Sequence, residues 1–204
     1  VLDGNGDWAL THFEKYGEDV LYKITLSRNG RIKTIHATGN HRWFVRDNVK
    51  EVVTKDLICG QRLKSVFSKK QKDYEIVSEG VMRGFVFGDG CLENKHRNSR
   101  AYFCNGKDEE ILKYFPLENP KYIDDSKTTI GHLPKEYKSL PCLDENNDLL
   151  FSWLAGYFAA DGDMAEGGLP QLNCSRKETL EFVRDVCNRI GIGTLGISEY
   201  ERNG

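Results

Sequence analysis

No apolar run in the 204-residue chain reaches the length of a membrane span. Its start carries no signal-peptide pattern, so the expectation is a protein of a reducing, cytoplasmic compartment in a phage or microbial host. The six cysteines (59, 91, 104, 142, 174 and 187) include no Cys-x-x-Cys pair, and no His-x-His accompanies them, which argues against structural zinc. A charge excess is lacking too. The 29 basic and 31 acidic residues leave a net charge of −2, which excludes a general nucleic-acid sponge and confines any DNA binding to local patches. No disordered tract stands out, and 39% hydrophobic with 11% aromatic residues fits a folded chain. The length allows one large domain or two small ones.

What is present is an internal repeat. The stretch Leu154-Ala155-Gly156-Tyr157-Phe158-Ala159-Ala160-Asp161-Gly162 is apolar, carries small residues four apart, and ends abruptly in Asp-Gly. As a helix, it sets Gly156 and Ala160 on one face, where a second backbone can approach closely. Gly162 reads as a left-handed helix stop. That puts Asp161 at the negative pole of the helix dipole, where a carboxylate is disfavoured unless a cation accompanies it. A second copy, Met82-Arg83-Gly84-Phe85-Val86-Phe87-Gly88-Asp89-Gly90, has the same layout. Cys104 then Lys107-Asp108 follow the first copy, and Cys174 then Lys177-Glu178 follow the other at nearly the same spacing. Two units of helix, hairpin and helix, about 70 residues apart, mark a duplication.

These runs resemble the paired motifs of LAGLIDADG homing endonucleases. The second matches at Leu154, Ala155, Gly156, Asp161 and Gly162; the first departs at Met82 and Arg83 but keeps Gly84, Asp89 and Gly90. The resemblance implies two motif helices packed at a pseudo-twofold axis, with Asp89 and Asp161 together over double-stranded DNA. It also implies two or more Mg²⁺ ions held there, with the Gly88 and Ala160 carbonyls as further ligands. Two carboxylates so close would not both stay charged without those cations.

The first 66 residues look β-rich: Leu21–Leu26 alternates, Asn29-Gly30 makes a hairpin turn, and Arg31–Ile35 returns. The series Thr38-Gly39-Asn40-His41, an apolar strand, then Asp56-Leu57 and Gly60-Gln61-Arg62-Leu63 resembles the Hint module of inteins. There Thr38 and His41 would take the positions that assist rearrangement of the N-terminal scissile peptide bond, a task suited to imidazole. Host-protein exteins, and a complementing intein fragment, are the partners that resemblance implies. An intein opens with Cys or Ser and closes with His-Asn, whereas this chain runs from Val1 to Asn203-Gly204. One piece of a split intein, a fragment, and a splicing element that has lost activity are the three readings left open.

The expected fold class is therefore α+β, a β-rich Hint-like module followed by a pseudo-twofold LAGLIDADG module of αββαββα type. Residues 1–68 form a partial Hint module and 69–80 a basic linker; 81–150 and 151–204 are the two nuclease halves, the second short of a strand or a helix. Helices are expected over 108–115 and 176–190, a hairpin around Thr128–Gly131, and a strand over 192–200. The turn between the first pair of strands carries Lys95, His96, Arg97 and Arg100, residue types that read a major groove from a β-ribbon. The second copy's turn is acidic, and its basic residues, Arg176 and Lys177, come later, so an asymmetric DNA target is expected. The leading function is site-specific, metal-dependent DNA cleavage. The rivals are protein splicing with a dead nuclease and DNA binding without cleavage.

Overall fold

The computed structural model describes residues 1–15, 17–28, 31–46, 51–66, 69, 73–93, 97–116 and 121–200, with backbone alone at 28, 31 and 121–124. The described chain is mixed α+β. No described helix is long and apolar enough to cross a membrane. Two compact units divide at Ser68 and Lys69.

In the first unit, β1 (Leu21–Arg28) and β2 (Arg31–Thr38) pair antiparallel with Leu21 opposite Thr38 and Arg28 opposite Arg31. The expected Asn29-Gly30 turn lies outside the described residues. A shorter pair joins β3 (Arg42–Phe44) to β4 (Glu51–Val53), and Val45 bridges to Leu63. Ala37 and Val45 are buried here beside Thr54. The Thr54 hydroxyl accepts from the Trp43 indole at 2.9 Å and bonds the His41 carbonyl at 3.3 Å.

The second unit begins with α1 (Ser78–Asp89), β5 (Gly90–Glu93) and β6 (Asn98–Cys104). It continues through α2 (Glu109–Leu112), β7 (Lys121–Asp124) and β8 (Lys127–Pro134) to a 3-10 turn over Lys135–Lys138. The sequence of elements then restarts with α3 (Asn147–Asp161), β9 (Gly162–Ala165), β10 (Leu169–Leu172) and α4 (Lys177–Arg189). The first half builds a four-stranded sheet in the order β5-β6-β8-β7, the second the pair β9-β10.

The two motif helices serve two cores. Phe85 and Val86 of α1 join Ala101, Phe103, Phe115 and Ile130 beneath the larger sheet. Phe87, one residue on and turned by the helical period, joins Leu150, Trp153, Tyr157, Val183 and Val186 of the second half. Asn146 caps α3 by accepting from the Asp148 amide at 2.7 Å. Ser152, fully buried on α3, donates to the Asp148 carbonyl at 2.7 Å and accepts from the Val77 amide at 2.9 Å at the start of α1.

Several expectations need correction. Both Asp-Gly glycines are extended, not left-handed: Gly90 has φ −114° and Gly162 φ −78°. Glycine is required there because a Cβ would collide with the Val86 or Phe158 carbonyl one turn back, and would stand 2.6 Å from the Phe158 ring at Gly162. Within the expected linker 69–80, residues 74 and 78–80 take part in the second unit's packing and helix. Tyr74 stacks on Phe151 with ring centroids 4.8 Å apart and donates to the Ile190 carbonyl at 2.7 Å, and α1 already starts at Ser78. The helix expected over 108–115 stops at Leu112, because Tyr114 and Phe115 bond three residues back and tighten the turn that buries Phe115. Thr128–Gly131 is strand, and the hairpin turns at Asp125–Ser126. Residues 192–200 form no strand, and among the described residues no strand pairs with them.

Candidate active site at the paired helix ends

Helices α1 and α3 lie side by side and parallel, and small residues fix their register. A Cβ on Gly80 would meet Ser152 Cβ at 2.6 Å; on Gly84 it would strike the Trp153 carbonyl and lie 2.6 Å from the Tyr157 amide. One on Gly156 would strike the Val81 carbonyl and come within 2.9 Å of the Phe85 amide. At the far end, a Cβ on Gly88 would stand 2.5 Å from Ala160 Cβ and 3.1 Å from Asp161 Oδ2. Rising numbers on one helix meet rising numbers on the other, so both C-termini arrive at the same place. Asp89 and Asp161 end the two helices there.

Both carboxyls sit above the ordinary aspartate value. For Asp89, half-buried, loss of hydration is the main cause and the Asp161 charge adds to it; Lys107 and Lys138 pull the other way. For Asp161, the more exposed of the two, burial again raises the value, and Lys138 and Lys107 oppose it. Negative charge is thus in excess at this point, even before the helix dipoles are counted.

Lys138 is a part of the site that the sequence did not mark. It lies at the end of the 3-10 turn after β8, and its ammonium donates to the Val86, Phe87 and Gly88 carbonyls at 3.3, 2.6 and 3.1 Å. Burial lowers its own value, and Asp161 and Asp89 are among the charges that resist. No local pattern advertises a lysine 49 residues beyond Asp89. Arg176 stands over the Phe87 ring, 5.9 Å from its centroid, on the side of the second half.

Other expected residues are placed as follows. Lys95 and His96 lie outside the described residues, and Arg97 is exposed. Arg100 is held in the sheet by Glu93 at 2.7 Å, with its Nε buried and without a protein partner. Lys177 pairs with Glu199 at 2.7 Å, both largely exposed. In the other unit, the His41 amide donates to the Thr38 carbonyl at 3.1 Å across the turn between them. The exposed His41 ring packs edge-on to Trp43 with centroids 4.7 Å apart, in a shallow depression with Asn40, Arg42, Phe44 and Glu51.

The donors at the helix ends are two carboxylates and backbone carbonyls. Among the described residues, no group of three histidine, cysteine or acidic side chains gathers at a metal-sized spacing. An all-oxygen set with few protein ligands suits Mg²⁺, which keeps much of its water shell, better than it suits zinc.

No family model matches the chain, and no curated protein matches it. Among solved structures, the chain is similar to full-length DUF199/WhiA from Thermatoga maritima, with a TM-score of 0.42 and 18% identity. That match covers 58% of this chain and 46% of the other, so the chain spans less than half of that protein. A likeness this distant carries no argument about function.

Proposed function

We propose that residues 69–204 are a LAGLIDADG-type endonuclease core that makes a site-specific, Mg²⁺-dependent double-strand cut in DNA, attached to a partial Hint module at 1–68. The observation that carries the reading is the parallel, glycine-faced packing that delivers Asp89 and Asp161 to one point, where burial raises both carboxyls despite the nearby lysines. A buried helix pair with no further role has no need of two carboxylates, both raised by burial, at a shared end. When bound, Mg²⁺ would supply an activated water and neutralise charge developing on the phosphate. Asp89 and Asp161 would hold it, together with the Ala160 carbonyl. Lys138 holds the end of α1 in place, and Arg97 and Arg176 present exposed cations suited to backbone phosphates.

The test is cleavage of a plasmid library of randomised sites, with Mg²⁺ and with EDTA. Asp89→Asn and Asp161→Asn should each abolish cutting while DNA binding persists. Binding without cutting by the unaltered chain would favour a non-cleaving DNA-binding protein.

A splicing role for the first unit is the second reading, favoured by the exposed His41 in its depression three residues after Thr38. A complementing peptide that opens with Cys should then undergo N-terminal bond cleavage. Replacing His41 with Ala should slow that by roughly 10²–10⁴-fold.

A further inference from the structure

We infer that Lys138 is a built-in counter-ion of the Asp89–Asp161 pair, holding the ends of α1 and α3 together when no divalent cation is present. The inference rests on the proposed reading of that pair as a cation site, and it adds what occupies the site between catalytic events. An α-helix leaves its last four carbonyls without intrahelical partners, and they form the negative pole of its dipole. In α1 those carbonyls belong to residues 86–89, and Lys138 takes three of them with its three N–H donors. The ammonium is therefore fixed by backbone, and it acts on the carboxylates through space. Gly88, one of its acceptors, is also the residue against which the Asp161 carboxylate lies.

Lys107 and Arg176 are exposed and screened by water, whereas Lys138 is half-buried. At Asp161 Lys138 is the leading favourable charge, whereas at Asp89 Lys107 comes before it. At the end of α3 the Gly162 amide bonds back to the Phe158 carbonyl, and no lysine among the described residues plays the part that Lys138 plays for α1. A divalent ion approaching the Gly88 carbonyl meets the fixed charge of Lys138, whereas no lysine among the described residues donates to the Ala160 carbonyl. The two halves of the site are consequently unequal, and the ammonium competes with the metal.

The experiment uses the full chain without DNA. Melting temperatures are measured in EDTA at pH 7.5 for Lys138→Met, Asp161→Asn and the double variant, and Mg²⁺ binding is followed by calorimetry. Lys138→Met should melt lower than the unaltered chain, most of that loss should vanish when Asp161→Asn is also present, and Mg²⁺ should bind Lys138→Met about tenfold more tightly. Lys138→Arg should retain most of the stability. If Lys138→Met fails to fold while the double variant folds, the inference stands. Equal losses in both backgrounds, or no folding in either, would make Lys138 a helix cap alone and overturn it. Coupling between Lys138 and Asp161 without Mg²⁺ binding by any form would sustain the counter-ion and overturn the cation-site reading instead.

Discussion

The Asp161 carboxylate lies directly against Gly88 at the end of the neighbouring helix, so that a single methyl group there would stand 3.1 Å from Oδ2. That proximity makes the helix pair sensitive to substitutions of a kind most surfaces tolerate. In Gly84→Ala the new methyl runs into the Trp153 carbonyl, and backbone cannot rotate away as a side chain can. A loss of about 3 kcal/mol or outright unfolding is expected, at or above the upper end of overpacking costs. In Gly88→Ala the methyl meets Ala160 Cβ and the movable Asp161 side chain, so about 1–2 kcal/mol is expected. Urea denaturation of the two variants checks both values and their order.

The aspartates should work against stability. Their carboxyls are raised in the fold, so the stability they contribute is fully present below the unfolded value of 3.8 and is lost as pH rises through the folded values. At pH 7.5 without metal, Asp89→Asn is therefore expected to raise the melting temperature, by about 2 °C once screening of a half-exposed group is allowed for. Added Mg²⁺ should stabilise the unaltered chain and leave Asp89→Asn unmoved. A melting temperature lowered by Asp89→Asn would mean that its carboxylate is a structural partner.

Glu93 should show the opposite sign. Burial pulls its carboxyl up, but the His132 amide at 2.7 Å and the Arg100 guanidinium outweigh that, leaving it below the ordinary glutamate value. Its contribution is present above the unfolded value of 4.5 and lost as pH falls through the lower folded one. Acid titration of stability should consequently be shallower in Glu93→Gln than in the unaltered chain, over the pH range just below 4.5. An unchanged profile would mean that the Glu93–Arg100 pair contributes nothing measurable.

DNA contacts should follow which cations are free. Arg97 is exposed, whereas Arg100 is engaged by Glu93. Replacing Arg97 with Ala should lower the salt slope of binding by about one unit, the effect of losing one phosphate contact. Replacing Arg100 should lower stability more than it lowers the slope, because it leaves the mostly buried Glu93 carboxylate uncompensated. Binding titrations over a series of salt concentrations separate the two.

The helix pair was legible in the sequence because its evidence is repetition. Gly84 and Gly156 recur in equivalent places, each with Asp-Gly closing the run, and only close backbone contact makes sense of both. Lys138 was not legible, since a 3-10 turn beyond the sheet brings it to α1 from 49 residues away. The conformation of Gly162 was misread for a related reason. A glycine after a helix suggests the left-handed cap, but here the chain turns straight into β9 and the Phe158 carbonyl excludes a Cβ. Arg100 was read as a free groove cation because its Glu93 partner stands across the strand pair, a relation fixed by register and invisible to local pattern. The strand expected at 192–200 had the right residues, but a strand exists only beside another one.

The measurement closest to the central claim is Mg²⁺-dependent cleavage of the randomised plasmid library by the unaltered chain, Asp89→Asn and Asp161→Asn side by side. A linear product enriched for one sequence, abolished by EDTA and by either substitution alone, is the expected result. Cleavage that survives Asp161→Asn at the unaltered rate would contradict a site shared between the two helix ends.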